Sequence, residues 1–152
     1  LKMLINVFRH IGKKKKIIFP AHPRTTKNII NFGLEAKVSS ISKLKITEPV
    51  GYIDFLALMK NSFFVLTDSG GIQEETTALG IPCITLRTTT ERPVTCEIGT
   101  NRLIMPEYEQ IIEAVDDALL GNYKKGSIPK YWDGKAAERT TEIIVKKIFH
   151  SV

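Results

Sequence analysis

The densest polar chemistry in the chain lies in Thr67-Asp68-Ser69-Gly70-Gly71-Ile72-Gln73-Glu74-Glu75. An apolar run at residues 63–66 precedes it and a helical pattern follows. Two glycines let the backbone come close to a ligand. The first N–H groups of a helix have no partner within the helix, and its dipole favours an anion at that end. Ser69 adds a hydroxyl, so Ser69, Gly70 and Gly71 can cradle a diphosphate. The plainer alternative is an ordinary helix start, capped by Ser69 or Asp68 and favoured by the acids that follow. On local grounds that alternative is the commoner one. Glu75, one turn into the helix, can reach the two hydroxyls of a ribose whose phosphates sit at the helix start. Glu74 and Glu75 are adjacent and point about 100° apart, so only one of them can face such a ligand.

A second cluster, Thr88-Thr89-Thr90-Glu91-Arg92-Pro93, follows the apolar run at 83–86. Arg92 can offer a planar fork to a phosphate or a sugar hydroxyl, Thr90 a hydroxyl, and Arg87 a further cation. A polar turn with local ion pairs fits the same residues. His22, in Pro20-Ala21-His22-Pro23, follows the run at 17–19 and is a candidate ligand contact or acid/base. His10 and His150 fall in peripheral helical stretches. No Ser–His–Asp, Cys–His or metal constellation is present.

These residues need elements to hold them. Short apolar runs at 17–19, 44–47, 63–67, 83–86 and 102–104 read as strands. Helical periodicity covers 1–11, 25–34, 52–60, 71–79, 107–120 and 135–149. In the last of these, Ala137, Thr140, Ile144 and Ile148 are expected to face inward. Strands alternating with helices at this spacing predict an α/β fold with a doubly wound parallel sheet. Ligands in such sheets bind beyond the carboxyl ends of the strands. Both polar clusters, and His22, fall just after a strand.

Length and composition agree with one domain over residues 1–152. A composition with 43% hydrophobic and 25% charged residues argues against disorder. No apolar stretch approaches the roughly 20 residues of a membrane helix, so no membrane partner is expected. The two cysteines, Cys83 and Cys96, have no metal-ligand spacing, and a reduced cytoplasmic setting is expected. The chain opens at Leu1 rather than Met, as a part of a longer protein would. The net charge of +6 is uneven: residues 1–60 hold twelve Lys and Arg against three Asp and Glu. The Lys13–Lys16 run lacks interleaved aromatics and any nucleic-acid module pattern, so it reads as a solvated surface and no nucleic-acid partner is expected.

The segments LTDSGGIQEETTALGIPCITLR, TTERPVTCEIGTNRL and WDGKAAERTTEII together resemble the C-terminal domain of the UDP-N-acetylglucosamine 2-epimerases. The resemblance runs from about residue 17 to 149. It implies a Rossmann-like half of a two-domain GT-B fold, with a nucleotide sugar held in the cleft between halves. The implied reaction interconverts UDP-N-acetylglucosamine and UDP-N-acetylmannosamine by elimination and re-addition of UDP, with no metal or nicotinamide cofactor. By this resemblance Ser69 and Gly71, with Gly70 between them, match diphosphate contacts. Glu75 matches the ribose-binding acid and Arg92 the arginine of the Thr-Glu-Arg-Pro motif. Phe55 matches a residue beside the uracil, and Val50 stands where some members carry Gln. His22 matches the histidine of a Pro-Val-His segment. The family's catalytic carboxylates lie in an N-terminal domain outside this sequence, so none is assigned here. The implied partners are UDP, a UDP-N-acetylhexosamine and that domain, and the full-length family protein is expected to be a homodimer. A GT-B glycosyltransferase domain and a stand-alone UDP-sugar-binding module are the alternatives.

Overall fold

A computed structural model describes residues 1–149; His150 lies outside the described residues. In chain order the elements are α1 (Lys2–Lys14), β1 (Ile17–Pro20), α2 (Pro23–Asn31), α3 (Glu35–Ser39), β2 (Leu44–Thr47), α4 (Tyr52–Lys60) and β3 (Val65–Thr67). There follow α5 (Gly70–Leu79), β4 (Cys83–Thr85), α6 (Pro93–Glu97), β5 (Asn101–Leu103), α7 (Tyr108–Leu120) and α8 (Ala136–Phe149). All strand pairing is parallel, as the alternation of elements predicts. β1 pairs with β2, and β4 lies between β3 and β5. The ladder is therefore in two hydrogen-bonded groups. Side chains join them: Ile17 of β1 and Leu66 of β3 both pack against each of the two apolar clusters.

Those clusters lie on one side of the strands. α1 spans both, giving Val7 and Ile11 to one and Ile5 and Phe8 to the other. α7 adds Ile111, Ala114, Val115 and Ala118 to the first. Polar staples hold the same face: His10 Nε2 lies 2.9 Å from Asp116 Oδ1, and Arg102 Nη1 lies 2.8 Å from Asp117 Oδ2. His10 is thus a bridge between α1 and α7 rather than peripheral. The Asp116 carboxyl is held below its usual range, first by the hydrogen bond from His10 and then by Lys14.

α5 and α7 end in the same way. Gly80 and Gly121 have φ of 70° and 77°, where a side chain would be strained. The amides that follow turn back onto the last helical carbonyls, Ile81 N on Thr76 O and Asn122 N on Asp117 O, which is the Schellman arrangement. The Gly80-Ile81-Pro82 break therefore delivers the chain directly into β4.

Several expectations need correction. The strand expected at 63–67 is shortened to Val65–Thr67. Phe63 is half-exposed, with Lys15 Nζ 4.0 Å from its ring centre. Two short helices, α3 and α6, were not expected; each has five residues, too few to show a periodic stripe. The expected inward face of the last helix is also wrong. Residues 136–148 are mostly exposed, and Ile144 and Ile148 are 50% and 62% exposed. No core lies under them among the described residues. No helix among the described residues is long and apolar enough to cross a membrane.

Candidate functional site

The β3–α5 junction is built from its last strand residue upward. Thr67 Oγ1 accepts the N–H of Ser69 at 3.0 Å, which turns the chain out of β3. Ser69 then takes the N-cap position in extended backbone, and no side chain caps the helix. The capping alternative for Ser69 or Asp68 is thus not realised, and the amides at the start of α5 keep no side-chain acceptor.

Gly70 and Gly71 have no internal reason to be glycine. Neither has a positive φ. A Cβ on Gly71 would meet nothing within 4 Å, and one on Gly70 would make only ordinary contact with Glu91 Oε2 and Arg87 Nη1 at 3.7 and 3.8 Å. Glycine in a helix costs up to about 1 kcal/mol relative to alanine. The bare backbone leaves an open approach to the helix start.

The Arg87–Arg92 segment arches over this helix start. Arg87 grips Glu91 with both terminal nitrogens, at 3.0 and 2.8 Å. That bond holds the Glu91 carboxyl down to about 2 and raises the Arg87 guanidinium. Arg92 is the N-cap residue of α6, and its buried Nε lies 3.0 Å from Glu74 Oε2. The Nε–H is not aligned on that oxygen, so the contact is an ion pair without a hydrogen bond. The local ion pairs expected of a polar turn are present, yet they leave cationic groups beside the α5 N-terminus. Glu75 is half-buried. Its carboxylate has no hydrogen-bond or ion-pair partner among the described residues.

Beneath the segment lies a buried polar network that sequence reasoning missed. Its members Gln73, Thr85, Thr95 and Asn101 are each at most 1% exposed. Gln73 Oε1 accepts from Thr90 Oγ1 at 2.7 Å and from Asn101 Nδ2 at 3.0 Å. Asn101 Oδ1 accepts from Thr85 Oγ1 at 2.6 Å. Thr90 Oγ1 also accepts the N–H of Arg92 at 3.0 Å. The hydroxyl of Thr90 is therefore committed inward; its place is structural support of Arg92 rather than a free donor. The missed signal was on α5. Gln73, Thr76 and Thr77 share one helical face, and that face is polar where a core-facing stripe is expected.

The remaining candidates stand apart from this junction. His22 follows β1 as the N-cap of α2, and its Nδ1 accepts the N–H of Arg24 at 3.2 Å. That is a capping role, with Pro23 in the first turn. Val50, 36% exposed, and the half-buried Phe55 flank the start of α4 after β2, and α4 packs against α5.

Parallel strands whose polar loops gather beyond a strand end define a ligand-binding α/β domain. Residues 1–145 match the UDP-N-acetylglucosamine 2-epimerase family, and the chain belongs to it. The UDP-N-acetylglucosamine 2-epimerase of Methanocaldococcus jannaschii is 48% identical over 130 residues, 86% of this chain and 35% of that protein. The enzyme of the same name from Methanococcus maripaludis is 41% identical over 152 residues, 98% of this chain and 40% of that protein. A solved M. jannaschii structure, in complex with UDP-GlcNAc and UDP, superposes with a TM-score of 0.79 at 44% identity. It covers 95% of this chain and 40% of that one. The chain thus spans well under half the length of these relatives.

Proposed function

We propose that this chain binds the UDP portion of a UDP-N-acetylhexosamine and forms that half of a UDP-N-acetylglucosamine 2-epimerase. In the full protein the reaction is elimination of UDP from UDP-N-acetylglucosamine and its re-addition with C2 inverted, giving UDP-N-acetylmannosamine. Such a product serves surface-polysaccharide synthesis, in a reduced cytoplasmic setting that suits the free thiols of Cys83 and Cys96. The observation that carries the reading is the α5 start: uncapped, and glycine at positions 70 and 71 without internal need. A diphosphate there meets free amides and the positive helix end, with Arg92 to one side. Glu75, unpaired one turn on, is the acid for the ribose. Phe55 and Val50 are placed toward the base, and His22, as a cap, is given no ligand contact. On this reading an N-terminal domain outside this sequence is proposed to supply the other wall of the cleft and the catalytic carboxylates.

Calorimetric titration with UDP tests this. The isolated chain is expected to bind UDP weakly and to turn over no UDP-N-acetylglucosamine. Gly71→Ala should leave the fold intact and stabilise it by up to about 1 kcal/mol, yet weaken UDP binding by placing a methyl where the phosphates approach. Absence of UDP binding by the wild-type chain, or unchanged affinity in Gly71→Ala, refutes the reading.

A further inference from the structure

Gln73 is 0% exposed and sits one turn after Ser69 on α5. The directions of the hydrogen bonds around it are fixed by proton counting. Each threonine hydroxyl has one proton to give. Thr95 Oγ1 donates to Arg92 O at 2.7 Å in preference to Gln73 Oε1 at 3.5 Å, and accepts from Asn101 Nδ2 at 3.2 Å. Thr90 Oγ1 donates to Gln73 Oε1 and accepts from the Arg92 N–H. Arg92 is therefore held by its N–H through Thr90 and by its carbonyl through Thr95. Both threonines are bonded to the Gln73–Asn101 amide pair. Asn101 belongs to β5, whereas Gln73 belongs to α5. Its Nε2 donates back to Ser69 O at 3.4 Å, at the helix start itself. From the outer side the next residue, Glu74, pairs with the Arg92 side chain.

We infer that Gln73 is a positioning residue: its buried amide ties the Thr90–Arg92 segment to the first turn of α5, and so sets where Arg92 stands relative to a bound diphosphate. A well-packed apolar residue can replace buried polar groups at little cost or even with gain. A bonded amide and hydroxyl network instead favours one arrangement, and the arrangement favoured here is that of two loops proposed to share one ligand. The inference rests on the reading above only in that Arg92 and the α5 start meet the same nucleotide.

The test uses the chain as it stands, with UDP as the probe. Thr90→Val removes the link at the rim and leaves the Gln73–Asn101 bond in place, so it is the variant expected to fold normally; Gln73→Leu removes the hub. Each is expected to weaken UDP binding by about tenfold, and the effect should largely vanish in an Arg92→Ala background, because coupled residues are not additive. A second readout needs no ligand. The Nε–H resonance of Arg92 in the 15N spectrum of the free chain should shift in Thr90→Val. Equal fold-losses with and without Arg92 would show a general stability effect and overturn the inference, as would an unmoved Arg92 resonance. If Arg92→Ala leaves UDP affinity unchanged, the site reading fails instead, and the ligand-free resonance still decides whether Gln73 positions Arg92.

Discussion

Glu74 and Glu75 are neighbours with different surroundings. Glu74 is paired with Arg92 at 3.0 Å, whereas Glu75 has no partner among the described residues. The sequence shows only that they point about 100° apart. The structure adds which of them is free to accept hydroxyls. Glu75→Ala should therefore weaken UDP binding by the worth of a charge-assisted bond, about 1.5–3 kcal/mol, or tenfold and more. Glu74→Ala acts only through the freed Arg92 and should cost less. Calorimetry on both variants checks this, and equal losses would sink the assignment of the ribose acid to Glu75. Ser69, Gly70, Gly71 and Arg92 stand out in the sequence because packing does not ask for those residue types there, and the structure brings them to the start of α5. Gln73 was not, because an amide on a helix beside two glutamates reads as a solvated face. Nothing in a single sequence shows that its carbonyl receives Thr90 and Asn101. Thr90 offers a hydroxyl in the sequence, and in the structure that hydroxyl serves the network.

At the scale of elements, the two sides of the β3–β4–β5 ladder are built differently. Aliphatic side chains of α1 and α7 fill one side. On the other, α5 and α6 meet β4 and β5 through threonines and amides. A polar core of this kind tolerates little displacement, since each misplaced donor leaves a partner buried and unbonded. Gly99 makes the close approach possible. A Cβ there would fall on the side chain of Thr77 and 2.7 Å from the carbonyl oxygen of Thr95. The clash is partly with backbone, so a rotamer change cannot relieve it. Gly99→Ala should destabilise the chain by about 1–3 kcal/mol, the usual range for overpacking, as measured by urea unfolding. It should also weaken UDP binding through Thr95 and Arg92. An unchanged urea midpoint would mean that α6 moves aside freely and that the network is soft. The strands and the long helices were legible from period and breakers, except that α1, expected over 1–11, continues through Gly12 to Lys14. The helices α3 and α6 were not, since five residues cannot display a 3.6-residue period. α6 is set by Pro93 in its first turn and by Thr95, which returns both its N–H and its hydroxyl to Arg92 O.

For the whole molecule, the informative element is α8. Its apolar residues Ile143, Ile144, Val145 and Ile148 are 57%, 50%, 41% and 62% exposed, although the helical pattern asks for a buried face. The sequence showed that α8 has such a face but not what lies beneath it, because periodicity carries no information about the partner. At its first turns α8 is anchored locally. Arg139 bonds both Asp133 oxygens at 2.9 and 2.8 Å and the Tyr131 carbonyl at 3.0 Å, and its guanidinium sits 4.9 Å from the Tyr131 ring centre. These contacts fix the start of α8 to the loop before it rather than to the core. A helix of 14 residues whose apolar face is this exposed is marginal in water, so its amides should open far more readily than those of α7, whose inner face is buried. Hydrogen exchange followed by mass spectrometry checks this on the isolated chain. Residues 140–148 should exchange nearly as fast as an unstructured peptide, while 111–118 stay protected. Asp133→Ala should speed exchange in the first turn of α8 and leave α7 unchanged. Protection of α8 equal to that of α7, independent of protein concentration, would mean that the helix holds itself without a cover. Protection that grows with concentration would mean that a second copy of the chain buries it, and then the apolar face of α8 is a site of self-association in the isolated chain.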